Sequence, residues 1–208
     1  LSGRDDAVVY QATETTSQIQ LDEFADVASE NFPGSTQIKQ NWEALLGYLG
    51  EQDAIVVLDE FPYLIDADES LPSVIQRLWD QRLQNTSGTV ILIGSSISMM
   101  EEATLLGNSP LYGRFTERLD LRPLNFAAAQ VFVPDEYSPE ERIFTWGVFG
   151  GVPYYLDGVN LRQDLGTVLT EEVLSQKGYL HNEPEYVLRT ELTDPNRYFA
   201  ILTAIAAG

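Results

Sequence analysis

Apolar positions follow two periods along the first half of the chain. AVVYQAT (7–13) is a short run with β-branched residues ending in a polar Thr-Glu-Thr-Thr cluster, which predicts a buried strand and then a helix start. From Ser17 onward Ile19, Leu21, Phe24, Ala25, Val27 and Ala28 approximate helical spacing, and NFPGS (31–35) stops that helix with Pro and Gly. NWEALLGYLG (41–50) predicts a second helix. AIVVL (54–58) is apolar throughout, as expected of a strand in a parallel sheet covered on both faces. A Pro-containing loop is expected next. A helix follows over SLPSVIQRLWDQRL (70–83), with Ser before it, Pro near its first turn and a stripe of Val74, Ile75, Leu78 and Trp79. TVILIG (89–94) reads as another buried strand and SISMMEEATLL (96–106) as another helix, so residues 7–106 predict an α/β fold with crossover connections.

The pattern then changes. FTERLDL (115–121) alternates like a half-exposed strand, RPLNF (122–126) makes a turn, and helical segments follow from NFAAAQVF to DPNRYFAILTAIAAG, broken by a Gly-Gly-Val-Pro turn at 150–153. A boundary is expected near residue 122, between an α/β core over 1–122 and a helical subdomain over 123–208. Gly208 reads as a helix cap before further chain.

Composition narrows the class. At 208 residues and 44% apolar content the chain is able to build a core. Acidic residues outnumber basic ones 32 to 12, a formal charge of −20, and Lys39 and Lys177 are the only lysines. That balance excludes direct nucleic-acid binding by this segment and adhesion to an anionic membrane, because both need clustered cations. The acidity is spread along the chain, which suits a protein kept soluble in molar salt, so a halophile's cytoplasm is the expected location. With no cysteine there are no disulfides or thiolate metal sites, and no apolar run is long enough to span a membrane. LSGRDD carries no signal-peptide pattern, and a start at Leu is read as a fragment or processed product.

The candidate chemistry begins where IVVL runs into Asp59 and Glu60. A buried strand that delivers two carboxylates to the carboxyl edge of a parallel sheet has the form of a Walker B element. The first carboxylate holds the water shell of Mg²⁺, and the second polarises the water that attacks a γ-phosphate. A turn-capping pair before Phe61-Pro62 is the bland alternative. TVILIG brings Ser95 and Ser96 to the end of a neighbouring strand, where a hydroxyl would feel a γ-phosphate. Ser96 reads better as the cap of the following helix; for Ser95 both readings stay open.

VVLDEFPYLIDADESLPSVIQRLWD, ILIGSSISMMEE, SPLYGR, VFGGVPYYL, EPEYVLRTEL and DPNRYFAILTAIAAG, in that order, closely resemble archaeal ATPases among the STAND and AAA+ relatives of the P-loop NTPases. The resemblance covers roughly residues 7–208. It implies a P-loop NTPase-like parallel core with a helical lid, Mg²⁺ and ATP bound between them, and a winged-helix region and a further domain beyond. By the same resemblance Ser95 is a sensor, and Gly151 and Pro153 belong to a Gly-x-Pro turn whose proline packs by the adenine, with a simple break between two helices as the other reading of Pro153. Such ATPases carry G-x-x-x-x-G-K-[ST] ahead of the strand read here as AVVYQAT, and no such motif occurs in these 208 residues. The first strand and helix of the core are therefore expected to be missing, and the chain alone to hydrolyse ATP poorly or not at all.

Arg114 in LYGR could reach a phosphate as a finger, in cis or across a homo-oligomer, but a surface ion pair is the preferred reading. His181 lacks a metal pattern and reads as a loop residue, while Trp79, Trp146, Tyr154 and Tyr155 read as packing, with Met99 and Met100 as filler. The leading expectation is an ATPase module driving a change of domain arrangement. The runner-up is a nucleotide-gated scaffold that turns ATP over slowly and serves an unidentified protein partner through carboxyl-terminal domains. A domain that has lost nucleotide binding altogether is a third.

Overall fold

Three parallel strands, β1 (Ala7–Gln11), β2 (Ile55–Asp59) and β3 (Thr89–Leu92), lie side by side in the order β1-β2-β3. In register, Val9 faces Val57, Val57 faces Ile91, and Gln11 faces Asp59. These positions come from a computed structural model of the chain, which describes residues 4–104, 107, 109–192 and 194–208. The chain divides into two compact units, Leu1–Arg118 and Leu119–Gly208.

In the first unit α1 (Ser17–Asn31) and α2 (Trp42–Glu51) connect β1 to β2, and α3 (Phe61–Ala67) and α4 (Leu71–Gln81) connect β2 to β3. Helix α5 (Ile97–Thr104) follows β3. The strand order advances in one direction, so right-handed crossovers put both connections on one face of the sheet. The core accordingly joins Val8, Tyr10, Val56 and Leu58 to Phe24, Leu45, Phe61 and Leu78. The odd-numbered face is only partly covered: Val57 is 2% exposed, but Val9 is 39% and Ile93 44%. The expectation of a sheet covered on both faces thus holds for the central strand and not for the edges.

Two local expectations are corrected. The segment after Asp59 is a helix and not a loop. Pro62 fits because it stands in the first turn, where its missing N–H is not needed, and Phe61 and Leu64 face the core. FTERLDL forms no strand, since it pairs with no neighbouring strand among the described residues and leaves Leu119 80% and Leu121 84% exposed. Alternation without a partner strand or a core face does not make a sheet. Of the predicted helix 96–106, residues 105 and 106 lie outside those described.

Phe24 of α1 holds this unit together, being fully buried with its ring centroid 4.9 Å from Trp42 and 5.9 Å from Tyr10. Phe24→Ala is expected to destabilise the fold by about 3–5 kcal/mol, read as a fall in the urea midpoint. A loss under about 1 kcal/mol would mean that the cavity closes, against the close packing described.

The second unit is helical: α6 (Phe126–Ala129), α7 (Pro139–Phe149), α8 (Pro153–Gly158), α9 (Leu165–Val168), α10 (Glu183–Glu191) and α11 (Pro195–Ala207). Helix α9 continues into a π-helical turn, Leu169–Leu174. Ser138 and Glu141 form a capping box on α7, with Pro139 following the cap. A small core gathers Ala129, Val133, Phe149, Leu156 and Leu180.

Candidate functional site

The carboxyl edge of β2 is built by main-chain bonds to both neighbours. Ala12 N donates to the Asp59 carbonyl at 2.9 Å, Ile93 N to the Leu58 carbonyl at 2.9 Å, and Phe61 N to the Ile93 carbonyl at 2.8 Å. This crossing of chains sets Asp59, Glu60 and Ser95 beside one another. Asp59 is half-buried, and its Oδ1 accepts from the Glu60 amide at 3.0 Å. Ser95 Oγ donates to Glu60 Oε2 at 3.1 Å, and the Ser95 amide points to the same oxygen at 3.4 Å. The hydroxyl at the end of β3 therefore holds the second carboxylate of β2.

Glu60 adopts φ 52°, ψ 45°, the left-handed region, at the cap of α3. A non-glycine side chain stays there only when its surroundings hold it, and such strain gathers at functional sites. Gly94 is a second sign of close construction: a Cβ there would stand 2.6 Å from Met100 Cγ and 3.0 Å from Pro62 Cδ. Ser96 caps α5, its Oγ receiving the Met99 amide at 3.4 Å.

The remaining residues picked out from the sequence lie elsewhere. Arg114 forms a fork on Asp80, with Nε and Nη2 at 3.0 and 2.8 Å from its two carboxylate oxygens, while Nη1 donates to the Pro110 and Tyr112 carbonyls. That hydrogen bond holds the Asp80 carboxyl below its ordinary range, offset in part by desolvation. This is the ion pair preferred for Arg114, and it joins α4 to the 109–114 loop. His181 Nδ1 lies 3.0 Å from the Val173 carbonyl. Gly151 and Pro153 belong to the second unit, with Pro153 exposed at the start of α8.

Gly151 is buried because two backbones meet on it. Its carbonyl accepts from Leu124 N at 2.7 Å, and a Cβ would fall on the Leu124 carbonyl. Gly151→Ala is expected to destabilise the helical unit by about 3 kcal/mol, since main chain has to move on both sides, and Trp146 fluorescence during urea unfolding reads it. An unchanged midpoint would show that the approach relaxes freely.

One residue at this edge escapes a reading by motif. Gln20 of α1 is fully buried, with Nε2 donating to the Tyr63 carbonyl at 3.1 Å and Oε1 accepting from Thr13 N at 3.4 Å. The signal was present: Gln20 shares the apolar stripe of Phe24 and Ala28, where an amide needs partners. A groove of about 280 Å³ lies nearby, lined by Glu14, Thr15, Tyr63, Asp66 and Ala67. Burial and the Glu23 carboxylate, 3.0 Å away, both push the Tyr10 phenol up.

Residues 4–159 match an ATPase domain found predominantly in Archaea. The chain belongs to that family. The match runs from the approach to β1 through α8, so it takes in Asp59, Glu60, Ser95 and the Gly151-Val-Pro153 turn. An uncharacterized protein of Methanocaldococcus jannaschii is 38% identical over 188 residues, covering 90% of this chain and 42% of that protein. The chain thus spans less than half the length of that relative. No solved structure matches it. The parallel three-stranded sheet and its helices are consistent with the P-loop NTPase-like core of this ATPase family. No helix among the described residues is long and apolar enough to cross a membrane.

Proposed function

We propose that this chain is the part of an archaeal ATPase that positions Mg²⁺ and the attacking water at the carboxyl edge of β2 and β3. The observation that carries the reading is the junction of strand-end Asp59 and Glu60 with Ser95 across 3.1 Å. Among the described residues no three acidic or histidine groups gather as a metal cage. Mg²⁺ keeps several waters and takes one or two carboxylates plus substrate phosphates, a demand that a strand-end carboxylate can meet. Asp59 would hold the ion through water, and the ion supplies charge neutralisation on the phosphates. Glu60 would take a proton from the water as its oxygen attacks the γ-phosphorus, and the bond to the β,γ-bridging oxygen breaks to leave ADP and phosphate. Ser95, bonded to Glu60 here, would exchange that carboxylate for a γ-phosphate oxygen. Arg114, committed to Asp80, is assigned to structure rather than catalysis.

Two outcomes follow. The chain by itself, lacking G-x-x-x-x-G-K-[ST], hydrolyses ATP poorly or not at all, as measured by phosphate release. In the full-length protein Asp59→Asn raises the Mg²⁺ concentration required for half-maximal hydrolysis by about tenfold or more. An unaltered Mg²⁺ dependence would refer Asp59 back to a turn.

A further inference from the structure

Glu60 needs holding from two sides. From β3 it is held by the Phe61 amide on the Ile93 carbonyl and by Ser95 on its carboxylate. From α1 a buried side chain reaches the same turn. Gln20 Nε2 donates to the Tyr63 carbonyl, and the Tyr63 amide in turn donates to the Glu60 carbonyl at 3.0 Å. The other end of the amide receives Thr13 N, just past β1, and lies 3.3 Å from the Tyr10 hydroxyl, whose proton it shares with Glu23. An apolar residue at position 20 would fill the same space between α1 and β1. It would not hold a carbonyl of α3, and it would leave the Thr13 amide and Tyr63 carbonyl without this partner.

We infer that Gln20 is a positioning residue: from α1 it ties the first turn of α3 to the end of β1 and so keeps Glu60 in its left-handed conformation, with the carboxylate directed along the edge to Ser95. Spending a fully buried amide on backbone groups of two other elements gives the turn a fixed place relative to the sheet. Glu60 has no side-chain cap of its own to set that angle. The inference rests on the catalytic reading of Glu60, and the test separates the two.

Single-turnover ATP hydrolysis by the full-length protein in Mg²⁺ is compared for the parent, Gln20→Met, Glu60→Gln and the double variant, with ATP affinity measured alongside. Gln20→Met should lower the rate about tenfold with affinity unchanged, and in the Glu60→Gln background it should cost nothing further, because the residue acts through Glu60. A full rate in Gln20→Met, or losses that multiply in the double variant, overturns the inference while leaving the role of Glu60 intact. A full rate in Glu60→Gln overturns the catalytic reading and the inference with it. Circular dichroism checks that each variant folds. Should Gln20→Met not fold, Gln20→Asn serves the same comparison, since it keeps a buried amide but is one methylene too short to bridge Thr13 N and the Tyr63 carbonyl.

Discussion

Glu60→Gln should lower single-turnover ATP hydrolysis by the full-length protein about a hundredfold or more while leaving ATP affinity as it was. The amide has the shape of the carboxylate, and its carbonyl still accepts from Ser95 Oγ, so the bond that holds residue 60 across to β3 survives. What is lost is the capacity to accept a proton from water. Equal rates would reduce Asp59 and Glu60 to a turn, a role the Asp59 Oδ1 to Glu60 N bond already fills. Tight ATP binding without hydrolysis in either form would favour the nucleotide-gated scaffold, in which bound nucleotide acts only as a switch.

Lowering KCl from molar to millimolar should unfold the chain, followed by circular dichroism. The formal charge is −20, with 32 acidic residues against 12 basic ones. The pairs that do form, such as Arg77 with Glu43, Arg4 with Asp6 and Arg189 with Glu185, lie on the surface with both partners well exposed. Each is worth roughly 0–1 kcal/mol and weakens in salt, so pairing does not offset the repulsion among the remaining carboxylates. At molar ionic strength the Debye length is about 3 Å and that repulsion is local; at 0.01 M it is about 30 Å and spans the unit. Total stability of a domain is only about 5–15 kcal/mol, which summed repulsion of this kind can exceed. A spectrum indifferent to salt would remove the case for a halophile's protein and leave the acidity without a physical account.

Much of the first unit was legible because its elements are strongly periodic and bounded by strong breakers. The run AIVVL and the Pro-Gly after Asn31 mark their elements without help from the rest of the fold. Asp59, Glu60 and Ser95 were legible as a group for the same reason: each directly follows a readable strand, and parallel strands bring their carboxyl ends together. FPYLIDA was misread because proline suggests a loop, yet in the first turn of a helix its ring costs no hydrogen bond. FTERLDL was misread because alternation is local information while pairing is not. The left-handed Glu60 and the reach of Gln20 to Tyr63, 43 positions away, arise only once three elements pack, so no spacing rule along one segment reveals them.

A crystal structure of the full-length protein with Mg²⁺ and a non-hydrolysable ATP analogue would give the place of the nucleotide. The ion's water shell is expected on Asp59 and the γ-phosphate beside Ser95, with Glu60 turned to the water in line with it. An analogue bound elsewhere, with Asp59 still on the Glu60 amide and Glu60 still on Ser95, would contradict that expectation.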